Sequence, residues 1–294
     1  MQEIAVLSAR KTGPGSLEQL VNFARQVGLG NVDILSTERV SCDALQAPCP
    51  DDWPYATVRQ TADQHQIDVN KVPAQGRRKM LMLADMDATI IRGESLDELA
   101  DLAGIAEQIK PITARAMAGE LDFLEALSAR LALLAGQPES LLDEVVRNTV
   151  ITDGAHEAVA TMRAHGGHCY LVSGGFTFLT SVIAKQLGFS GHHSNVMDVA
   201  DGRLTGRAVP PILGKQAKRA FLEQYRAEYG LAPEDTLCVG DGANDMAMLS
   251  QAGMGVAFEG KPALREQIDL QLNHTDLTGL LYLQGYRSAD FVAS

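Results

Sequence analysis

Four short, almost wholly apolar runs constrain this chain more than any other feature: Met80 to Ala84 (MLMLA), His168 to Val172 (HCYLV), Thr236 to Val239 (TLCV) and Met254 to Phe258 (MGVAF). A strand that is apolar on both faces has to be covered on both, and this is the condition of parallel strands joined by crossover helices. The amphipathic stretches between the runs supply such helices, so the fold class expected is α/β, a Rossmann-like parallel sheet with helices on both faces. The segment between the first two runs is too long for one crossover. Leu and Ala recur there at helical spacing with few β-branched residues, so residues 96–148 are read as a helical cap insert over one end of the sheet, and Ala155 to His165 as the crossover helix. In NVMDVADGRLTGRAV, Asp201-Gly202 is a favoured two-residue turn between strand-like runs and predicts a hairpin.

Ahead of these runs, the pattern predicts strands over 3–7, 31–36 and 67–72 and helices over 17–27 and 55–65. That makes a small α+β N-terminal domain over residues 1–72, ordered βαββ or βαβαβ. The polar, basic stretch 73–79 (PAQGRRK) is read as a linker, and residues 80–294 as the second domain.

The 294 residues, 46% of them hydrophobic, are ample for a buried core. With 25 Lys plus Arg against 37 Asp plus Glu, the net charge of -12 offers no basic face for duplex phosphates, so nucleic acid is not an expected partner. No apolar run reaches the roughly 18 residues of a membrane span, and the N-terminus lacks a signal-peptide core. A soluble, cytoplasmic protein with no membrane partner is expected. Cys42, Cys49, Cys169 and Cys238 show no CxxC spacing and read as buried thiols.

Three of the apolar runs end in polar clusters. Ala84 runs into Asp85-Met86-Asp87-Ala88-Thr89, Val172 into Ser173-Gly174-Gly175, and Val239 into Gly240-Asp241-Gly242-Ala243-Asn244-Asp245. Ligands of open parallel sheets bind at the carboxyl ends of the strands, so these clusters are expected to converge on one crevice. Four carboxylates gathered there repel one another without a cation, and hard oxygen donors with no attendant Cys or His suit Mg²⁺. With the ion present the crevice suits a phosphate dianion, aided by Lys218 and by hydrogen bonds from Ser173 and the Gly174 amide. Other chemistries fit less well. A GxSxG elbow would need Gly where Leu171 stands, and GDGAND puts Asp245 at the third glycine of a dinucleotide fingerprint. DMDATI misses the EF-hand pattern. His165, His168, His192 and His193, around a Gly-Gly turn and in a polar loop, read as solvated rather than as metal ligands.

The four pieces ADMDATII, VSGG, Lys218 and GDGAND resemble, in order and spacing, the four motifs of the haloacid-dehalogenase-like phosphatases, across residues 80–285. Within that superfamily Glu94, the segment Met117 to Phe123, Arg130 and SGGF at 173–176 resemble the substrate residues of phosphoserine phosphatases. The resemblance implies a Mg²⁺-dependent hydrolysis of O-phosphoserine to serine and phosphate, the last step of serine biosynthesis, through an aspartyl-phosphate. Asp85 would be the nucleophile and Asp87 the general acid and base. Asp85, Asp241 and the backbone carbonyl of Asp87 would hold the metal, with Asp245 supporting its water shell and Lys218. Ser173, Gly174, Lys218 and Asn244 would hold the phosphoryl group, Glu94 the ammonium and Arg130 the carboxylate, while Met117 and Phe123 exclude water.

Ala88 departs from the DxDST of many such enzymes by lacking a hydroxyl, which implies an effect on rate or specificity. The N-terminal domain resembles ACT-like regulatory domains, and a homodimer is left open. The alternatives are a related phosphotransferase or phosphatase for another small phosphomonoester, and a non-catalytic amino-acid-sensing protein.

Overall fold

The computed structural model describes residues 2–38, 40–117, 120–214 and 216–292. The N-terminal part is a four-stranded antiparallel sheet of order β2-β3-β1-β4. Its strands are β1 (Glu3–Arg10), β2 (Asp33–Ile34), β3 (Cys42–Pro48) and β4 (Asp68–Pro73), with α1 (Ser16–Gln26) after β1 and α2 (Tyr55–Gln64) after β3. This is the split βαβ arrangement written twice in one unit, βαββαβ. The strand expected over 31–36 is paired only at Asp33–Ile34. β3, absent from the sequence reading, is an inner strand lying against β1. Its CDALQAP sequence is buried along most of its length yet has no β-branched or aromatic residue, so propensity gives no signal for it.

Alternate residues of this sheet serve two cores. Ala5, Leu7, Leu45, Ala47 and Val69 pack on α1 and α2 through Leu20, Phe23, Val58 and Ala62. Val6, Cys42, Ala44 and Val72 face the other way, into the core of the rest of the chain. The period-two alternation of strands thus joins the two sheets through one apolar interior.

The second sheet has seven strands in the order β11-β10-β9-β5-β6-β7-β8. They are β5 (Leu81–Ala84), β6 (His168–Phe176), β7 (Gly191–Ala200), β8 (Arg203–Val209), β9 (Thr236–Gly240), β10 (Met254–Phe258) and β11 (Leu270–Leu272). All neighbours run parallel except the hairpin β7–β8, which turns at Asp201 and Gly202 with φ of 51° and 71°. From central β5 the chain goes first to β6 and β7 on one side, then to β9, β10 and β11 on the other. The strand order therefore reverses at β5, where open α/β sheets bind ligands.

Between β5 and β6 lie α3 (Ser95–Leu102), α4 (Ala106–Met117), α5 (Phe123–Leu133), α6 (Ser140–Asn148) and α7 (Ala155–Ala164). α8 (Thr177–Leu187), α9 (Ala217–Glu228), α10 (Met246–Leu249), α11 (Pro262–Arg265) and α12 (Gly279–Leu283) complete the described helices. A capping box starts α5: the Glu125 amide donates to Asp122 Oδ1 at 2.8 Å and the Asp122 amide to Glu125 Oε2 at 2.9 Å. Past its end the chain pairs with the hairpin, Gly136 N donating to Leu204 O at 2.8 Å and Leu204 N to Gln137 O at 2.9 Å. The hairpin thus fixes α5 relative to the sheet.

Two expectations need correction. His192 and His193 lie in β7, not in a polar loop, and His168, His192 and His193 are half-buried rather than solvated, while His165 is exposed as expected. His193 stacks on Phe221 at 3.8 Å with Nε2 2.6 Å from the Tyr225 hydroxyl, His168 stacks on Tyr229 at 3.7 Å, and His165 meets Tyr286 edge-on at 4.9 Å. Phe221 and Tyr225 of α9 and Tyr229 just past its end create the environments of His168 and His193 at helical spacing, a relation invisible from the histidines alone. Cys42, Cys169 and Cys238 are buried, Cys49 is half-buried, and all four are free thiols. Among the described residues no helix is long and apolar enough to cross a membrane.

Candidate active site

Register brings the distant clusters level. Ala84 of β5 pairs with Leu171 of β6 and with Val239 of β9, and the Asp85 amide donates to Val239 O at 3.0 Å. The residues that follow each of these positions, Asp85, Ser173 and Asp241, therefore meet at one edge of the sheet. Next to Asp85 the chain doubles back through Met86–Ile90, where Asp87 is extended and Ala88 takes the left-handed conformation at φ 50°, ψ 13°. An l-residue there costs about 1 kcal/mol. The turn is held by Ala88 N donating to Gly93 O at 2.8 Å and Ile91 N to Met86 O at 2.9 Å.

Lys218, at the start of α9, is 6% exposed and bridges two buried carboxylates, with Nζ 2.6 Å from Asp85 Oδ1 and 2.6 Å from Asp245 Oδ1. Burial opposes its charge, but the carboxylates of Asp245 and Asp85 outweigh that and hold the ammonium protonated, above the usual lysine value. Asp85 Oδ1 also accepts from the Met86 amide at 2.8 Å. The other oxygen of Asp245 accepts from Gly242 N at 3.1 Å.

Asp87 reaches across to the second cluster. Its Oδ1 accepts from the Ser95 amide at 2.7 Å and its Oδ2 from Ser173 Oγ at 3.1 Å, while Gly175 N donates to Ser173 Oγ at 2.8 Å. Burial, then the negative charge of Asp85, raises the Asp87 pKa above the ordinary carboxylate value. Two glycines permit these approaches. A Cβ on Gly240 would run into the side chain of Asp245, and one on Gly175 would stand 2.9 Å from Asp87 Oδ2.

Carboxylate oxygens of Asp85, Asp241 and Asp245 lie within 4.8 Å of one another, and all three residues are buried. This donor set is hard and anionic, and Lys218 is the buried cation against it, so the residues fit a divalent oxygen-preferring ion such as Mg²⁺. Asp245, expected to support the water shell and Lys218, lies close to these donors with its two oxygens engaged by Lys218 and Gly242 N, and the Asp87 side chain is turned to Ser95 and Ser173.

A cleft of about 320 Å³ opens over these groups, lined from the sheet by Asp85, Asp87, Ser173, Gly174, Asp241 and Asn244 and from the helices by Glu94, Phe123 and Arg130. The Phe123 ring lies against Gly174, where a Cβ would be 3.4 Å away. Arg130 Nε donates to Ala126 O at 3.3 Å, one turn back on α5. Desolvation in the cleft, then the charge of Asp87, pushes Glu94 up to about 7. The Met117 side chain falls outside the described residues.

Two polar residues that the sequence reading did not name also shape the cleft. Lys261, after β10, has Nζ 2.9 Å from Asp241 Oδ2 and 3.5 Å from Glu94 Oε1. The buried Asn195 of β7 donates from Nδ2 to Gly174 O at 2.8 Å and accepts at Oδ1 from Leu213 N at 2.7 Å, fixing the glycine turn. The strand-end rule that gathered the other clusters leads to Lys261 when applied to the fourth apolar run, whereas Asn195 is hidden by the polar start of β7.

A sequence profile of haloacid dehalogenase-like hydrolases matches residues 82–250. The chain is 37% identical over 289 residues to Phosphoserine phosphatase SerB2 of Mycobacterium tuberculosis, covering 98% of this chain and 69% of that one. The lengths of curated relatives are not always spanned to that extent, and for another it is 65%. Among solved structures, a HAD family hydrolase from Salmonella enterica serovar Typhi superposes with a TM-score of 0.84 at 28% identity, covering 96% of this chain and 98% of that chain. A substrate-bound phosphoserine phosphatase complex superposes with a TM-score of 0.65 at 36% identity, covering 70% and 98%. With sheet, cleft and sequence in agreement, the chain belongs to the haloacid dehalogenase-like hydrolases and, among them, to the phosphoserine phosphatase family.

Proposed function

We propose that this enzyme hydrolyses O-phosphoserine to serine and phosphate in a Mg²⁺-dependent reaction, through an aspartyl-phosphate on Asp85. The observation that carries the reading is the position of Asp85: one of its oxygens is fixed by Lys218 and the Met86 amide, and it faces a cleft that holds both a carboxylate and a guanidinium. Those two groups suit the ammonium and carboxylate of an amino acid, since Glu94 can attract a cation and Arg130 can fork onto a carboxylate. The Mycobacterium tuberculosis relative and the substrate-bound structural neighbour, both phosphoserine phosphatases by name, support the substrate.

In this reading the oxygen of Asp85 not held by Lys218 attacks phosphorus, and Lys218, Ser173 Oγ, the Gly174 amide and Asn244 carry the charge of the phosphoryl oxygens. Asp87, whose protonated form is favoured by burial and the charge of Asp85, gives its proton to the departing seryl oxygen. Once ionised, it takes a proton from the water that opens the aspartyl-phosphate. Ser95 N holds its carboxyl in place for both transfers, and Ser173 Oγ leaves it to donate to the phosphoryl group. Asp85, Asp241 and the backbone carbonyl of Asp87 would hold Mg²⁺, with Asp245 beside them holding Lys218, and the ion would supply positive charge against the phosphoryl group. Phe123 and Met117 are proposed to keep bulk water off the phosphoenzyme.

The separate sheets support a division near residues 73–79 into an N-terminal unit and a phosphatase unit, whose shared core argues that they fold together. Phosphate release from O-phosphoserine and a panel of other phosphomonoesters, with Mg²⁺ and with a chelator, tests the reading. Preferred turnover of O-phosphoserine, lost with chelator and restored by Mg²⁺, is expected; equal turnover across the panel, or indifference to chelator, would reject it.

A further inference from the structure

Among the described residues the site contains two lysines, and they differ in kind. Lys218 is 6% exposed and locked between two carboxylates at 2.6 Å, so it is a fixed part of the site. Lys261 has 52% of its side-chain surface open to solvent, and its ammonium sits 2.9 Å from Asp241 and 3.5 Å from Glu94. An ion pair of that exposure is weak, worth at most about a kilocalorie per mole, and its ammonium can swing away on a flexible stem. Its backbone cannot follow. Lys261 N donates to Asp241 O at 2.8 Å, and Lys261 O accepts from Leu264 N at 2.9 Å and Arg265 N at 3.1 Å. The lysine is therefore tethered beside Asp241 while its charge is mobile.

Asp241 is also one of the acids proposed to hold the metal. An ammonium and a divalent ion that share Asp241 repel at this range, so each weakens the hold of the other. We infer that Lys261 competes with the metal for Asp241, with Glu94 as its second anchor, and so sets the affinity of the site for Mg²⁺. The inference rests on the metal reading proposed above. It also gives a sign opposite to that of a positioning role: a lysine that oriented Asp241 for the ion would weaken metal binding when removed, whereas a competitor strengthens it.

Titration calorimetry of MgCl₂ into the metal-stripped full chain, with circular dichroism as a check on folding, decides between them. Lys261→Met and Lys261→Gln, which keep the backbone bonds and remove the charge, should bind Mg²⁺ about threefold to fivefold more tightly than wild type, while Lys261→Arg, which keeps the charge, should stay near the wild-type value. Unchanged or weaker binding by both neutral variants would overturn the inference while leaving the metal reading intact. If the wild-type chain takes up no Mg²⁺, both fall together.

Discussion

At the scale of single residues, the charges around the cleft set a definite pH dependence. Glu94 is pushed up to about 7 by desolvation and by Asp87, so it is largely neutral below that pH and largely ionised above it. Only the ionised form attracts a substrate ammonium. The preference for O-phosphoserine over 3-phosphooxypropanoate, which lacks the ammonium, is therefore expected to fall several-fold as pH drops from about 8 to about 6. In Glu94→Gln the ratio of the two kcat/KM values should be low and flat with pH; a ratio in the wild type that does not move would remove Glu94 from substrate recognition. Using the ratio cancels the titration of the phosphate, which the two compounds share. Residue identities at motif positions were legible before the fold was seen, because an acid after an apolar strand is a local pattern. The position of Lys261 after a strand end was equally legible, but its pairing was not, since its partners Asp241 and Glu94 are remote in sequence and come together only through the sheet.

At the scale of elements, the short apolar runs were readable as parallel strands because burial on both faces leaves little choice of composition. β3 and the first half of β7 were not. Ala44, Leu45 and Ala47 are buried by partners on either side rather than marked by β propensity, and His192, His193 and Ser194 carry polar side chains that α8 and α9 satisfy, Thr180 meeting His192 Nδ1 at 3.1 Å and Ser194 Oγ at 2.7 Å and Tyr225 meeting His193. The end of β9 makes a sharper demand. Gly240 passes so close to Asp245 that a methyl group there would displace the carboxylate paired with Lys218. Gly240→Ala is expected to lower phosphate release about a hundredfold through that misplacement, with a stability cost of only about 1–3 kcal/mol by denaturant titration. Near-wild-type turnover would mean that the contact between Asp245 and Lys218 does not matter to the chemistry.

At the scale of the whole molecule, the N-terminal sheet is bolted to the far edge of the second sheet, not tethered beside it. Asn70 of β4 exchanges two hydrogen bonds with the backbone of Gln271 in β11, both 2.8 Å, in the manner of a neighbouring strand. The buried carboxylate of Asp68 accepts from the amides of Asn273, His274 and Thr275 at 2.8, 3.0 and 2.8 Å and from Thr275 Oγ1 at 2.7 Å. Asp68→Ala would strand these donors and is expected to cost about 3 kcal/mol, seen as a lower urea midpoint with an unchanged slope. A midpoint equal to wild type would make the junction incidental. The same topology that closes this junction carries Asp85 and Asp241, 156 residues apart in sequence, to one cleft. The most direct test of that arrangement is to quench the turning-over enzyme in acid and look for a hydroxylamine-sensitive phosphoenzyme. Wild type is predicted to form it and Asp85→Asn to form none; a phosphoenzyme that persists in Asp85→Asn would contradict the assignment of Asp85 as the nucleophile.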